Sequence, residues 1–228
     1  MEKFILINKK AGWTSFDVVA YIRKQIKQKN PDLKKIKVGH AGTLDPFAEG
    51  LLIVGVGREA TKKLDEYKKL PKTYITSLRL GQISDTGDPT GKIIATAGEN
   101  TEIPINKISA VLNTFIGEQE QVPPMYSAKK IEGQRLYDLA RKGITVKREP
   151  AKINIYSVKL LVYDFPHLKI EVKCSTGTYI RTLAEDIGRA IGSGAYCEEL
   201  KRTAIGTYSL EQAKNVEDVH LIDAELSL

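Results

Sequence analysis

Residues 153–174 read INIYSVKLLVYDFPHLKIEVKC. The second half alternates without a break. Leu168, Ile170, Val172 and Cys174 are apolar, while Lys169, Glu171 and Lys173 are charged. A period of two with one charged face is a strand with one wet side, and such a strand belongs to a sheet that is at least partly antiparallel. The first half, 153–163, reads as a longer strand whose phase slips. Ile153 and Ile155 are apolar at odd numbers, then Val158, Leu160 and Val162 at even ones, which predicts a bulge near Tyr156 and Ser157. Cys174 falls on the apolar face, as a core thiol.

Upstream, residues 4–8 read as a short strand. A helix follows, with Thr14 as N-cap, Asp17 as the acid of a capping box, and Val18, Val19, Ile22 and Ile26 as its apolar stripe; Asn30 and Pro31 end it. Residues 51–54 read as a buried strand, 59–70 as a polar helix closed by Pro71, and 74–80 as a strand ended by Gly81. DTGDPTG at 85–91 is turn chemistry. Helices are expected at 105–115 and 133–141, the second stopped by Gly143. The last clear helix is 179–189, with Ile180, Leu183, Ala184 and Ile187 inward. Strands and helices mix without strict βα alternation, so the class is α+β.

The chain of 228 residues is long enough to bury a core without a disulfide or metal staple. It has two cysteines, Cys174 and Cys197, which make neither a disulfide framework nor a zinc site, and a reducing cytoplasm is the expected compartment. No apolar run approaches the roughly 20 residues of a membrane span, so no membrane association is expected. The net charge of +7 is uneven: residues 1–72 carry 16 basic against 8 acidic side chains, 120–152 carry 8 against 4, and 198–228 carry 3 against 7. Two basic zones point to a polyanionic partner, RNA or DNA; surplus lysine that only solubilises the surface is the other reading.

Three patterns are set aside. Gly55-Val-Gly57-Arg-Glu-Ala60 fits a dinucleotide turn, but no acid follows at the next strand end, so a tight strand-to-helix turn is expected and no nucleotide cofactor. Asp88-Pro-Thr-Gly91 resembles a GTPase switch without any phosphate loop. His40, His167 and His220 have no metal-ligand spacing.

Three segments stay unexplained by packing. GHAGTLDP at 39–46 is a loop by composition and presents His40 and Asp45 five residues apart, either for chemistry or as a turn with Asp45 on backbone amides. STGTYIRTL at 175–183 places Arg181 in the first turn of a helix, where the macrodipole disfavours a cation. It pairs either with Glu185 on the surface or with a buried carboxylate. QVPPMYSA at 121–128 is an extended stretch set by two prolines and followed by Lys129 and Lys130.

GHAGTLDP, VPPMYSAKK, GTYIRTLAEDIG and the opening INKKAGWTSFD closely resemble, in order and spacing, the TruB-type tRNA pseudouridine-55 synthases, over residues 4 to about 210. The resemblance implies an α+β pseudouridine-synthase catalytic domain with a mixed, mainly antiparallel central sheet, flanking helices and a central active-site cleft. It implies Asp45 as the catalytic aspartate, Arg181 as the arginine that pairs with it, and Tyr74 as the tyrosine that stacks on the target base and takes its C5 proton. Tyr179 and Leu200 match residues lining the uracil pocket. His40 matches the histidine that enters the space of the flipped nucleotide, and Lys9 and Lys62 match the lysines of the opening and of G-x-E-A-T-K. Lys10 stands where the family has proline. The family usually carries a further C-terminal RNA-binding (PUA) domain. The expectation here is a catalytic domain at 1–210 and a short acidic tail at 211–228 without a complete PUA domain.

The chemistry agrees. Turning uridine into its C-glycoside breaks N1–C1′ and makes C5–C1′. It is redox-neutral, so no cofactor and no metal are expected. A stacked uracil must be flipped out. The site then needs an ionised carboxylate, a cation to hold it so, and an aromatic platform. Attack on C1′, attack on C6 and removal of the 2′ proton are all open to the carboxylate. The partner expected is the T-arm of tRNA, met by a monomer. Two alternatives are a catalytic subunit of a guide-RNA-dependent pseudouridylation particle and a non-enzymatic tRNA-binding or folding protein.

Overall fold

The structure, a computed structural model, describes residues 3–33, 35–98, 101–127, 129–131 and 133–221. In chain order the elements are β1 (Lys3–Lys9), α1 (Ser15–Lys29), β2 (Val38–Ala41), β3 (Glu49–Val56), α2 (Arg58–Lys69), β4 (Lys72–Leu80), β5 (Gln82–Ser84), β6 (Ile93–Ala95), α3 (Ile105–Thr114), β7 (Gly117–Gln121), β8 (Lys130–Ile131), β9 (Gln134–Arg135), α4 (Leu136–Arg141), β10 (Ala151–Asp164), β11 (His167–Cys174), α5 (Ile180–Ile191), β12 (Ala195–Ile205), β13 (Tyr208–Ser209) and β14 (Lys214–Asn215). They gather into two units. One comprises Met1–Thr73 and Lys201–Leu228, the other Tyr74–Leu200. No helix among the described residues is long and apolar enough to cross a membrane.

In the first unit the strand order is β14-β1-β3-β12, with β2 also on β3 and β13 on β12. β1 and β3 are antiparallel, with Ile7 opposite Leu52. The C-terminal part of β12 runs parallel to β3, with Arg202 beside Gly50. One sheet face, Ile5, Ile7, Leu52, Val54 and Val56, packs under Val18, Val19, Ile22 and Ile26 of α1. The other, Leu51 and Ile53, packs with Leu64 of α2 and Ile205. Burial on both faces explains the unbroken apolar run in β3. The expected capping box of α1 is present: the Asp17 amide donates to the Thr14 hydroxyl at 3.0 Å and the Thr14 amide donates to the Asp17 carboxylate at 2.8 Å. Asn30 is its C-cap. Gly57 opens α2 at φ +91°, and a Cβ on Gly55 would press on the Ala60 backbone at 3.2 Å, so the GVGREA segment is the tight turn expected. Lys214 and Asn215 pair in parallel with β1, and Val216 joins the core beneath α1.

In the second unit the order is β12-β4-β11-β10-β7, with β5–β6 and β8–β9 as separate hairpins. β10 and β11 are antiparallel, and the register slips between Ile155 and Ser157, at the position expected. A second slip, between Leu160 and Val162, was not foreseen. β11 buries Leu168, Ile170, Val172 and Cys174 and turns its charged residues outward. α3 packs on α5 and β10. α5 buries Ile180, Leu183, Ala184 and Ile187 and ends at Gly192 in the left-handed conformation.

Strands β5, β6, β7, β8, β9, β12, β13 and β14 were not expected, the ends of most other elements shift by one or two residues, and two segments change character. The helix expected at 133–141 begins at Leu136, because Gly133, at φ +81°, turns the β8–β9 hairpin. The segment expected as a loop at 39–46 is half strand: Gly39, His40 and Ala41 pair with Gly55, Val54 and Ile53, and the loop begins at Gly42.

Candidate active site

The loop carrying Asp45 is held from several sides within the first unit. The Ser15 hydroxyl, buried at the start of α1, accepts from the Leu44 amide at 2.8 Å and donates to the Leu44 carbonyl at 3.1 Å. The Gly12 amide donates to the Pro46 carbonyl at 2.8 Å. Lys9, 0% exposed, sends its ammonium to the Trp13 carbonyl at 2.6 Å, to the Lys10 carbonyl at 3.0 Å and to the Ala48 carbonyl. Its charge is thus spent on the two chain segments that flank the loop. Burial pushes the Lys9 ammonium down to about 8, with the nearby Asp45 carboxylate pulling the other way. Asp45 itself is half-buried.

Arg202 closes the other end. It is 1% exposed, and its Nε donates to the Leu51 carbonyl at 2.8 Å and its Nη2 to the Gly42 carbonyl at 3.0 Å. A Cβ on Gly50 would stand 2.3 Å from the Arg202 carbonyl oxygen, so only glycine lets β12 lie against β3 here. His40, on β2, is pushed down to about 4, first by burial and then by the Arg202 and Lys68 charges, and its Nδ1 is sealed without a partner. The imidazole is therefore neutral at physiological pH. Lys62 is on the exposed side of α2 and holds Glu59 at 2.8 Å.

The second unit carries Tyr74, Tyr179, Arg181 and Leu200. Tyr74 and Leu200 are buried on β4 and β12. Tyr179 is the N-cap of α5, and its backbone is clamped by Gln121: the Tyr179 amide donates to the Gln121 carbonyl oxygen at 2.8 Å and the Gln121 amide donates to the Tyr179 carbonyl at 3.0 Å. Arg181, 3% exposed, is no surface partner of Glu185. It pairs with Asp88 at 3.3 Å and donates to the Thr86 carbonyl at 2.7 Å and the Tyr126 carbonyl at 2.6 Å. Asp88 is itself buried and accepts from the Thr86 hydroxyl and the Thr90 amide, each at 2.9 Å. DTGDPTG therefore supplies a carboxylate to Arg181, and VPPMYSA supplies a carbonyl. Asp88, Gln121, Ser15 and Arg202 were not site candidates from the sequence. The one trace of Asp88 there is an arginine in the first turn of α5, for which a buried acid was one of two partners open.

Strands of this arrangement, with a pinned aspartate loop and an arginine buried at the start of α5, form a pseudouridine synthase fold. Residues 24–180 match the N-terminal domain of the TruB family pseudouridylate synthases, and residues 181–226 match the C-terminal domain of tRNA pseudouridylate synthase B. The chain belongs to the TruB family. It is 42% identical to the tRNA pseudouridine synthase B of Protochlamydia amoebophila, over 97% of this chain and 81% of that relative. It is 45% identical to that of Parabacteroides distasonis, over 95% and 91%. Among solved structures, a crystal structure of a Cbf5-Nop10-Gar1 complex matches with a TM-score of 0.72 and 27% identity, covering 99% of this chain and 56% of that one.

Proposed function

We propose that this chain isomerises a uridine of tRNA to pseudouridine, and that its target is uridine-55 in the T loop. The observation that carries the reading is the Asp45 loop, a half-buried carboxylate on a segment pinned by Ser15, Lys9 and Gly12 and, at Gly42, by Arg202. Such restraint suits a group that must meet a reacting atom in a fixed geometry. Relatives at 42% and 45% identity are tRNA pseudouridine synthases B, whereas the likeness to the Cbf5 complex is at 27%, which favours tRNA itself over a guide-RNA particle.

In this reading the uridine is flipped out of its stack. Asp45 begins the exchange of N1–C1′ for C5–C1′, by attack on C1′ or C6 or by taking the 2′ proton. Tyr74 stacks on the base and takes the C5 proton, and Tyr179 and Leu200 line the uracil. Arg181, fixed by Asp88, supplies the cation for the aspartate. His40, uncharged, fills the place the uridine leaves, and Lys62 meets phosphate. Lys9 acts from inside, by holding the Asp45 loop. The isomerisation uses no cofactor, and the enzyme works as a monomer in the cytoplasm.

The test is incubation with an unmodified tRNA transcript and chemical mapping of pseudouridine. Modification at position 55 is expected with the wild type. Asp45→Asn should fold, bind tRNA and form none, and turnover in that variant would remove Asp45 from the chemistry.

A further inference from the structure

Arg202 is a buried cation with no carboxylate partner among the described residues. Its Nε and Nη2 are spent on the Leu51 and Gly42 carbonyls, and Nη1 has no hydrogen bond and is not sealed from solvent. A guanidinium buried only for packing would be replaced at a gain by a neutral side chain, because desolvating its charge costs several kcal/mol. Here its charge is directed at one place. Gly42, at φ +85°, leaves the space before Nη1 open: a Cβ there would stand 3.6 Å from Nη1 and 4.0 Å from the Lys72 Cε. His40 lies two residues away on β2, with its Nδ1 sealed and its ring within the field of Arg202, so it reports on the charge at this place. A guanidinium edge that is buried, unspent and not sealed from solvent, with a glycine keeping the space before it clear, describes an anion site.

We propose that Arg202, across the clear space at Gly42, forms a subsite for one phosphate of the RNA backbone close to the target uridine. This rests on the reading of the chain as a tRNA-modifying enzyme. The anion is a phosphodiester because Arg202 holds Gly42, three residues before Asp45 in the same loop, so whatever occupies the subsite is fixed relative to the reacting nucleotide. A planar guanidinium with a free edge suits a phosphate oxygen. Lodging one phosphate there sets the register of the strand and converts binding energy into the position of C1′.

The test uses a T-arm hairpin carrying one neutral methylphosphonate linkage at a time around the target uridine. At one linkage the wild type should lose affinity about ten-fold, the value of one charge-assisted hydrogen bond. Arg202→Met should bind the unsubstituted hairpin about as weakly and ignore that substitution, and Arg202→Lys should fall between. The log–log salt slope of Arg202→Met should be lower by about 0.7–0.9. A purely structural arginine would weaken every hairpin alike and leave the slope unchanged, and that result overturns the subsite. If Arg202→Met does not fold, His40 of the wild type carries the test. Its imidazole should titrate at higher pH when the unsubstituted hairpin binds and not with the neutralised linkage. A His40 response to inorganic phosphate alone, with no linkage sensitive, would assign the site to a free anion and refute the proposal. A wild type that does not bind the unsubstituted hairpin sinks the function and the subsite with it.

Discussion

The Arg181 guanidinium and the Asp88 carboxylate form an ion pair at 3.3 Å, with the two residues 3% and 5% exposed. The pair joins the first turn of α5 to the turn that follows β5. It explains how a cation survives at the positive end of a helix dipole: the acid beside it offsets the field. Arg181 also donates to the Thr86 and Tyr126 carbonyls, so three segments distant in the chain are tied by one side chain.

Breaking this pair from either side is expected to be unequal. Arg181→Met leaves Asp88 buried and charged and should cost about 3–5 kcal/mol. Asp88→Asn keeps acceptors for Thr90 and Thr86 and should cost less, about 1–3 kcal/mol. A double-mutant cycle by urea denaturation should give a coupling of at least about 1 kcal/mol. Independent, additive losses would show that the pair is only a near neighbour contact.

Glu185 provides the contrasting case on the same helix. Burial holds its carboxyl above the usual range, with Asp186 adding to this and Arg181, Arg189 and Arg148 opposing it. A carboxyl raised by folding contributes stability below its unfolded pKa and loses it as pH rises through the folded value. Glu185→Gln should therefore gain stability over wild type near pH 7 and match it near pH 3. Thermal melts across that range test this, and a deficit at pH 7 would mean that the charge is needed.

Features set by neighbours in the chain were legible beforehand. The capping box of Thr14 and Asp17 is a three-residue pattern, the slip at Ile155 and Ser157 is a parity change, and the inward face of α5 is a period. Asp88, Gln121, Ser15 and Arg202 were not legible because their roles depend on partners 29 to 160 positions away. Nothing local distinguishes Asp88 from any acid in a turn. The arginine was the better clue: its awkward place on α5 left a choice between Glu185 and a buried acid, and the resemblance named Asp45 for it, with no sign of Asp88. The hairpin at β8 and β9 was lost because its strands are two residues each, too short to show a period.

Lys9 should act on the reaction without touching the base. Lys9→Met would leave the Trp13 and Ala48 carbonyls without their buried donor, a loss of about 1–3 kcal/mol each at most. The segments on both sides of the Asp45 loop would loosen, so single-turnover rates should fall by more than tRNA affinity does. Equal loss in both would place Lys9 in RNA binding instead.

His40 gives the pH test with the clearest sign. Its imidazole is held at about 4 against an ordinary 6.5, so between these values the unfolded chain takes up a proton that the folded one refuses. Stability is fully present above about pH 6.5 and declines as pH falls toward about 4, by up to about 3 kcal/mol for a shift of this size. His40→Gln removes the titrating group. Its stability should be flatter than wild type across that window, with the gap between the two chains closing as the pH drops. NMR of the His40 ring should show an imidazole still neutral at pH 5. A His40 ring already protonated at pH 6 would mean that neither burial nor the surrounding charges act on it. Removing the Arg202 charge should then have no effect on its titration, whereas the geometry described here requires that Arg202→Met move it upward.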